Sequence, residues 1–505
     1  MYDLRPKSTT ISNLTLIFCA HNSKELDLLK ISIYFIFQEI ITIRGYVIVN
    51  RKYLCLLILF DILLLAALSL TSPTITVGLA IISALVVVFF ISPLGYIYFL
   101  IIWLPYEGLL LPEEGDIRIL RLIIILSILL LAWSKFWLKQ EKLTYPPRKI
   151  MTPLLAVFIW AGLTIPLAPY PSTSLFILLK LMTFLAIFIL VFNLVRSESD
   201  LKKILYFSIF ASLPIFLITF YQYFILQIGR VPGIFGNPNT LGIYCFLTAA
   251  ITMLLIKFEF QRQFRKSILW LWFFVSMVAL FCSGSRASLL GFTVLILAYL
   301  IMTKHYKMIM LISAVLLLII VYIVRNEALF TDFSKVTRLL SGTTGRTLIW
   351  ESTMPMIKEN LITGVGIGGV PNSLYSYVQS THPVISYALR QTIERGLIHN
   401  GYLQKLAELG IIGLFMVLWA NINFIRYLRV NIVKPYNQII KFCAIIAMAL
   451  MISRLAHSMF ESSLQIGPFS ADIGTLVIFT AIIKLIELKS SPPSENKKPE
   501  PEAPA

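Results

Sequence analysis

A histidine and an asparagine stand side by side, His399 and Asn400, immediately before the apolar stretch "GYLQKLAELGIIGL". Histidine titrates near neutrality, with an unperturbed pKa of about 6.5, so an imidazole here is suited to take a proton from a hydroxyl. A lone histidine is also an ordinary surface or hydrogen-bonded residue. Asn400 can orient the imidazole or cap the following helix, and the sequence leaves both open. Three arginines lie upstream in Gly- and Ser-rich stretches: Arg230 in "GRVPGIFGNPNTLG" (229–242), Arg286 in "CSGSRASLLG" (282–291) and Arg346 in "SGTTGRTLIWE" (341–351). Guanidinium forks hold phosphate or carboxylate bidentately. Arg346 opens a helix-like stretch, 345–360, where free N–H groups and the helix dipole also favour an anion. The plainer alternatives are snorkelling to headgroups for Arg286, a salt bridge with Glu351 for Arg346, and a lone interfacial arginine for Arg230. Further on, "SRLAHSMFE" (453–461) sets Arg454, His457 and Glu461 on one helical face. Structural pairing inside a helix bundle is the expectation there.

Other chemistries find little support. The loop sequence "EEGD" supplies Glu114 and Asp116, an acidic pair of the kind that can bind a divalent metal, though ordinary solvation explains it as well. The five cysteines (Cys19, Cys55, Cys245, Cys282 and Cys443) are scattered singly, with neither a disulfide framework nor metal-ligand spacing. No Gly-x-x-x-x-Gly-Lys phosphate loop and no His/Cys cluster occurs. No cofactor and no metal is therefore expected.

The elements that must position these residues are membrane spans. The chain is 58% hydrophobic and 13% charged, against roughly a quarter charged in soluble proteins. Apolar runs long enough to cross a bilayer recur along it. They are read near 53–71, 75–91, 94–111, 117–137, 150–168, 173–194, 201–227, 239–257, 267–283, 286–303, 307–324, 404–425, 441–459 and 470–487. The expected fold is an all-α polytopic membrane protein with twelve to fourteen transmembrane helices. The net charge of +18 sits mostly in short loops between spans, so it is read as topogenic and not as a nucleic-acid footprint. Loops such as "SKFWLKQEKLTYPPRK" carry the basic residues, whereas "TSPT", "LPEEGD", "APYPST" and "ESSLQIGPFS" lack them. The positive-inside rule then puts both termini in the cytoplasm and every motif above on the outer face.

Residues 1–50 are expected to form a cytoplasmic or interfacial segment and 51–324 a helix bundle. Residues 325–403 are too long for a plain connection and carry helix-like patterning, so they read as a partly helical outer loop domain. Residues 404–487 complete the spans, and the Pro- and charge-rich 488–505 read as a disordered cytoplasmic tail.

Taken in order, "GIFGNPNTLG", "SGSRASLLG", "GRTLIWESTMPMIKENLITGVGIGG" and "HNGYLQKLAELGIIGL" make the chain resemble the bacterial O-antigen ligase and polymerase superfamily over about residues 229–414. The resemblance implies transfer of a glycan from an undecaprenyl-pyrophosphate carrier to a saccharide, lipid or protein acceptor, on the outer face of the bacterial plasma membrane. It implies that His399 is the base and that Arg286 and Arg346, with Arg230 matching less closely, hold the pyrophosphate. A polysaccharide polymerase of the same superfamily, or an inorganic-carbon or solute transporter, is the alternative. A transporter would carry polar residues deep in several spans, and here they gather at the outer surface.

Overall fold

The computed structural model describes residues 93–106, 144–259, 262–325, 346–381, 398–435, 437–462, 464, 466 and 473–490. All of them lie in one compact unit, residues 85–505. The spans expected at 53–71, 75–91 and 117–137, the segment 1–50, Glu114 and Asp116 fall outside the described residues, as do 491–505.

The described chain is helical. In order run α1 (Pro93–Trp103), α2 (Arg148–Leu163), α3 (Pro171–Leu194), α4 (Glu198–Phe220), α5 (Pro238–Phe258), α6 (Gln263–Ser283) and α7 (Arg286–Met302). These are followed by α8 (Tyr306–Arg325), α9 (Arg346–Glu359), α10 (Val370–Thr381), α11 (Gly401–Val433), α12 (Gln438–His457) and α13 (Ile473–Ser490). Seven helices of the described residues are long and apolar enough to cross a membrane. Their outward faces expose large apolar side chains, among them Ile159, Phe210, Leu271, Phe281 and Phe415, a surface that lipid covers favourably and water does not. Among the candidate spans α5 is the most enclosed, with 78% of its apolar window buried. It packs on α4, α6, α7 and α12 and forms the axis of the bundle.

The helix ends follow from local chemistry. Ser197, Asn237, Ser285, Asn400 and Asn437 each accept a backbone N–H of the helix they precede, which satisfies donors that have no intrahelical partner. The α-helical part of α1 stops at Trp103, well short of the expected 111, because Pro105 disfavours helix in the residue before it. Between α6 and α7 the chain turns in two residues. Gly284 takes a left-handed φ of 58° and Ser285 at once caps α7, so Arg286 is the first residue of its helix.

α11 departs most from expectation. It runs 33 residues instead of the expected 404–425, with a break at Gly410 (φ 66°, ψ −173°), a conformation that in practice only glycine adopts. The loop after α9 fills the break: Ile411 N–H donates to Leu361 O at 2.8 Å and Val365 N–H to Ala407 O at 2.8 Å. From α2, Trp160 Nε1–H donates to Leu409 O at 2.8 Å. A Cβ on Gly410 would run into the backbone of Ile362 and Thr363. α9 and α10 pack on each other and on the first turns of α11, burying Ile349, Met356, Val370, Leu374, Ile398 and Ala407 in a small core.

Candidate functional site

The first residues of α5 and α7, the start of α9, the lead-in to α11 and the turn after α12 meet at one end of the bundle. Asn239, in the first turn of α5, is buried. Its side-chain oxygen accepts from Arg230 Nη2 and from Ser285 Oγ, each at 2.8 Å, and its Nδ2 donates to Glu461 Oε1. Arg346 Nη2 donates to the same carboxylate oxygen at 3.2 Å. The other oxygen, Oε2, lies 3.4 Å from His399 Nδ1. One carboxylate thus gathers an arginine, a histidine and an asparagine from three separate stretches of chain.

Each member is held from behind. Arg230 sits in a loop tied by Val231 N–H to Cys282 O at 3.1 Å and by a reciprocal pair between Gln222 and Gly233. His399 has a left-handed φ of 54°, uncommon for a residue with a side chain. Its N–H donates to Ser462 Oγ at 2.9 Å, and Gly401 N–H donates to Ser458 O at 2.7 Å. Trp350 of α9 donates from Nε1 to Ile398 O at 2.9 Å. In the tautomer that donates from Nδ1 to Glu461, Nε2 is the nitrogen free to accept a proton.

The site is rich in arginine and contains the Glu461 carboxylate. Burial lowers the pKa of the Arg346 guanidinium from its ordinary value; Glu461 raises it and the nearby charge of Arg286 lowers it further. Arg346 stays cationic, since arginine does not deprotonate in proteins. The influence of Arg286 on Arg346 places those two charges in one electrostatic neighbourhood. Beneath them Ser288 Oγ lies 2.9 Å from Ser285 Oγ and 3.4 Å from Nε2 of the fully buried His457.

Arg230, Arg286, Arg346 and His399 therefore converge. Asn400 takes one of the two roles open to it: its side-chain oxygen accepts from Tyr402 N–H at 3.0 Å and Leu403 N–H at 3.1 Å, capping α11. The pairing considered between Arg346 and Glu351 gives way to Glu461. The shared helical face expected for Arg454, His457 and Glu461 is interrupted, because α12 ends at His457. Arg454 and His457 are buried in the bundle, while Glu461 lies in the following turn and reaches the site. Asn239 is a member that sequence reasoning did not single out, and Glu461 reads from the sequence as part of a structural helical face and not as a site residue. Asn239 was inside a quoted motif, and Glu461 was one of few acids near the expected outer surface. Among the described residues no group of His, Cys, Asp or Glu side chains is arranged to hold a metal ion.

Fold and site together define a polytopic α-helical membrane protein with an arginine-rich polar site at one end of its bundle. Residues 271–418 match the family model described as O-Antigen ligase, and over that segment the chain is O-antigen ligase-like. The matched segment contains Arg286, Arg346, His399 and Asn400; Arg230, Asn239 and Glu461 lie outside it. No curated protein matches the chain.

Proposed function

We propose that this protein transfers a glycan from an undecaprenyl-pyrophosphate carrier to a hydroxyl of a saccharide, lipid or protein acceptor, with His399 as base and Arg230, Arg286 and Arg346 around the pyrophosphate. The observation that carries this reading is Glu461, bonded at once to His399, Arg346 and Asn239. It fixes the imidazole tautomer, and it joins the base to the cationic pocket at hydrogen-bond distance.

In the proposed step the acceptor hydroxyl oxygen attacks the anomeric carbon as Nε2 of His399 takes its proton. The bond from that carbon to the pyrophosphate oxygen breaks, and its electron pair leaves on the pyrophosphate, where arginine N–H groups stabilise the developing charge. A single displacement inverts the anomeric centre. Glu461 stabilises the imidazolium that forms, as a carboxylate does behind a histidine base. α9, α10 and the lead-in to α11 act in this reading as a cap that carries the base and one arginine to the donor. The basic residues of the opposite bundle end, Lys257, Lys304, Lys307 and Lys441, support placing that end in the cytoplasm and the site on the outer face of the plasma membrane.

The test is transfer by purified protein from a pyrophosphate-linked lipid glycan to cell-envelope acceptors. His399→Ala, Arg286→Ala and Arg346→Ala are expected to lose transfer while keeping the wild-type melting temperature, and wild type is expected to keep it in EDTA. Full activity in His399→Ala removes the base assignment. Absence of transfer from any lipid-linked donor by folded wild type removes the reading itself.

A further inference from the structure

We infer that the end of the bundle opposite the arginine cluster holds a binding site for a phosphate group, carried by an anionic lipid headgroup or free in solution. α5 and α7 start at the cluster and α12 finishes there. The far ends of these helices, Lys257, Met302 and Gln438, therefore lie together, roughly 30 Å away for helices of this length. Between them is a cavity of about 300 Å³. Its charged and aromatic lining is Lys257 from α5, Tyr299 from α7, Lys304 and His305 from the turn into α8, and Lys441 and Phe442 from α12.

Among the described residues the lining contains no acidic side chain. Glu259, the acid nearest Lys257 in sequence, is buried and bonded to Lys202 and Tyr206, with Arg265 3.9 Å away. Lys257 instead lies over the Phe442 ring, 5.3 Å from its centroid, in a cation–π contact. Phe442 stands edge-on to Tyr299, with centroids 6.0 Å apart, so one wall of the cavity is aromatic. On the other side the chain is turned sharply. Lys304 adopts a left-handed φ of 60°, and the turn closes through His305 N–H to Leu300 O at 2.9 Å and a 2.7 Å contact between His305 Nδ1 and Thr303 Oγ1.

Three ammonium groups around one concavity repel each other, and a ligand that offers several acceptor oxygens and negative charge removes that repulsion. Phosphate is such a ligand, and lysine binds it as a point charge. Basic pockets between spans at a membrane surface suit lipid headgroups, and the Tyr299–Phe442 wall offers an apolar surface for the lipid stem.

The experiment uses the full chain, with Lys257→Gln, Lys304→Gln and Lys441→Gln singly and together. One arm titrates phosphatidylglycerol against phosphatidylcholine in nanodiscs, read by native mass spectrometry; the other titrates inorganic phosphate calorimetrically. Each lysine is expected to contribute about fivefold and the three together on the order of a hundredfold, with binding kept in Arg346→Ala. Loss in the lipid arm identifies a headgroup site, and loss in the phosphate arm a free-phosphate site. Lys304→Gln, exposed in its turn, keeps the test open should the triple variant fold poorly. If neither anion binds, or if binding ignores the lysines, the inference is overturned.

Discussion

Glu461→Gln is expected to move binding and turnover in opposite directions. The Arg346–Glu461 contact of 3.2 Å, between side chains 21% and 11% exposed, corresponds to about 5 kcal/mol of Coulomb attraction at an effective dielectric constant of about 20. Desolvation of both charges and residual water reduce the net value to about 1–3 kcal/mol. An anion that enters the pocket of the wild type must draw Arg346 away from that carboxylate. Glutamine keeps the shape and an acceptor oxygen but not the charge, so inorganic pyrophosphate should bind about 10- to 100-fold more tightly to the variant. Transfer should nevertheless fall by about 10- to 100-fold, because the imidazole loses the carboxylate that orients it and stabilises its charged form. The assay pairs calorimetric titration of pyrophosphate with transfer rates and melting temperatures on the same preparations. Pyrophosphate binding that is unchanged or weaker in a variant of wild-type melting temperature would refute the reasoning.

Gly410→Ala places a Cβ against the Ile362 backbone at a φ/ψ that only glycine favours; a loss of about 2–4 kcal/mol is expected, seen as a lower melting temperature and faster proteolysis after α9. Asn400→Ala should cost about 1 kcal/mol through the lost cap and Asn400→Ser little. If Asn400→Ser loses transfer at full stability, Asn400 does more than cap α11. Glu259 is buried, which raises its pKa, but hydrogen bonds from Lys202 and Tyr206 and the charges of Lys202 and Arg265 bring it below the ordinary 4.5. Its stabilising contribution is therefore present above about pH 4.5 and lost as the pH falls through the folded value. Acid denaturation curves of Glu259→Gln should lack that component, and superimposable curves would exclude it.

The sequence was informative wherever the physics is local. Apolar runs located the candidate spans among the described residues, though not α10, and capping residues such as Ser285 and Asn437 mark helix starts. The Gly-Ser-Arg turn put Arg286 at a helix N-terminus, and the convergence of His399 with the arginines followed from their common sidedness. What stayed hidden depends on distant partners. Glu461 read as a helical neighbour of His457, because nothing local announces that α12 ends before it or that its partners come from α5, α9 and residue 399. The break at Gly410 is equally silent: a glycine in "AELGIIGL" is compatible with an unbroken span. The groups that stabilise the break, Leu361 O and Val365 N–H, come from about fifty residues upstream.

That break has a consequence for variation. The bonds that fasten the loop to α11 run between main-chain atoms, from Ile411 to Leu361 and from Val365 to Ala407. Apart from the glycines that the close approach requires, they place no demand on which side chains the loop bears. Side chains on the α9–α10 surface can therefore be exchanged residue by residue while the main-chain bonds that hold the loop on α11 stay in place.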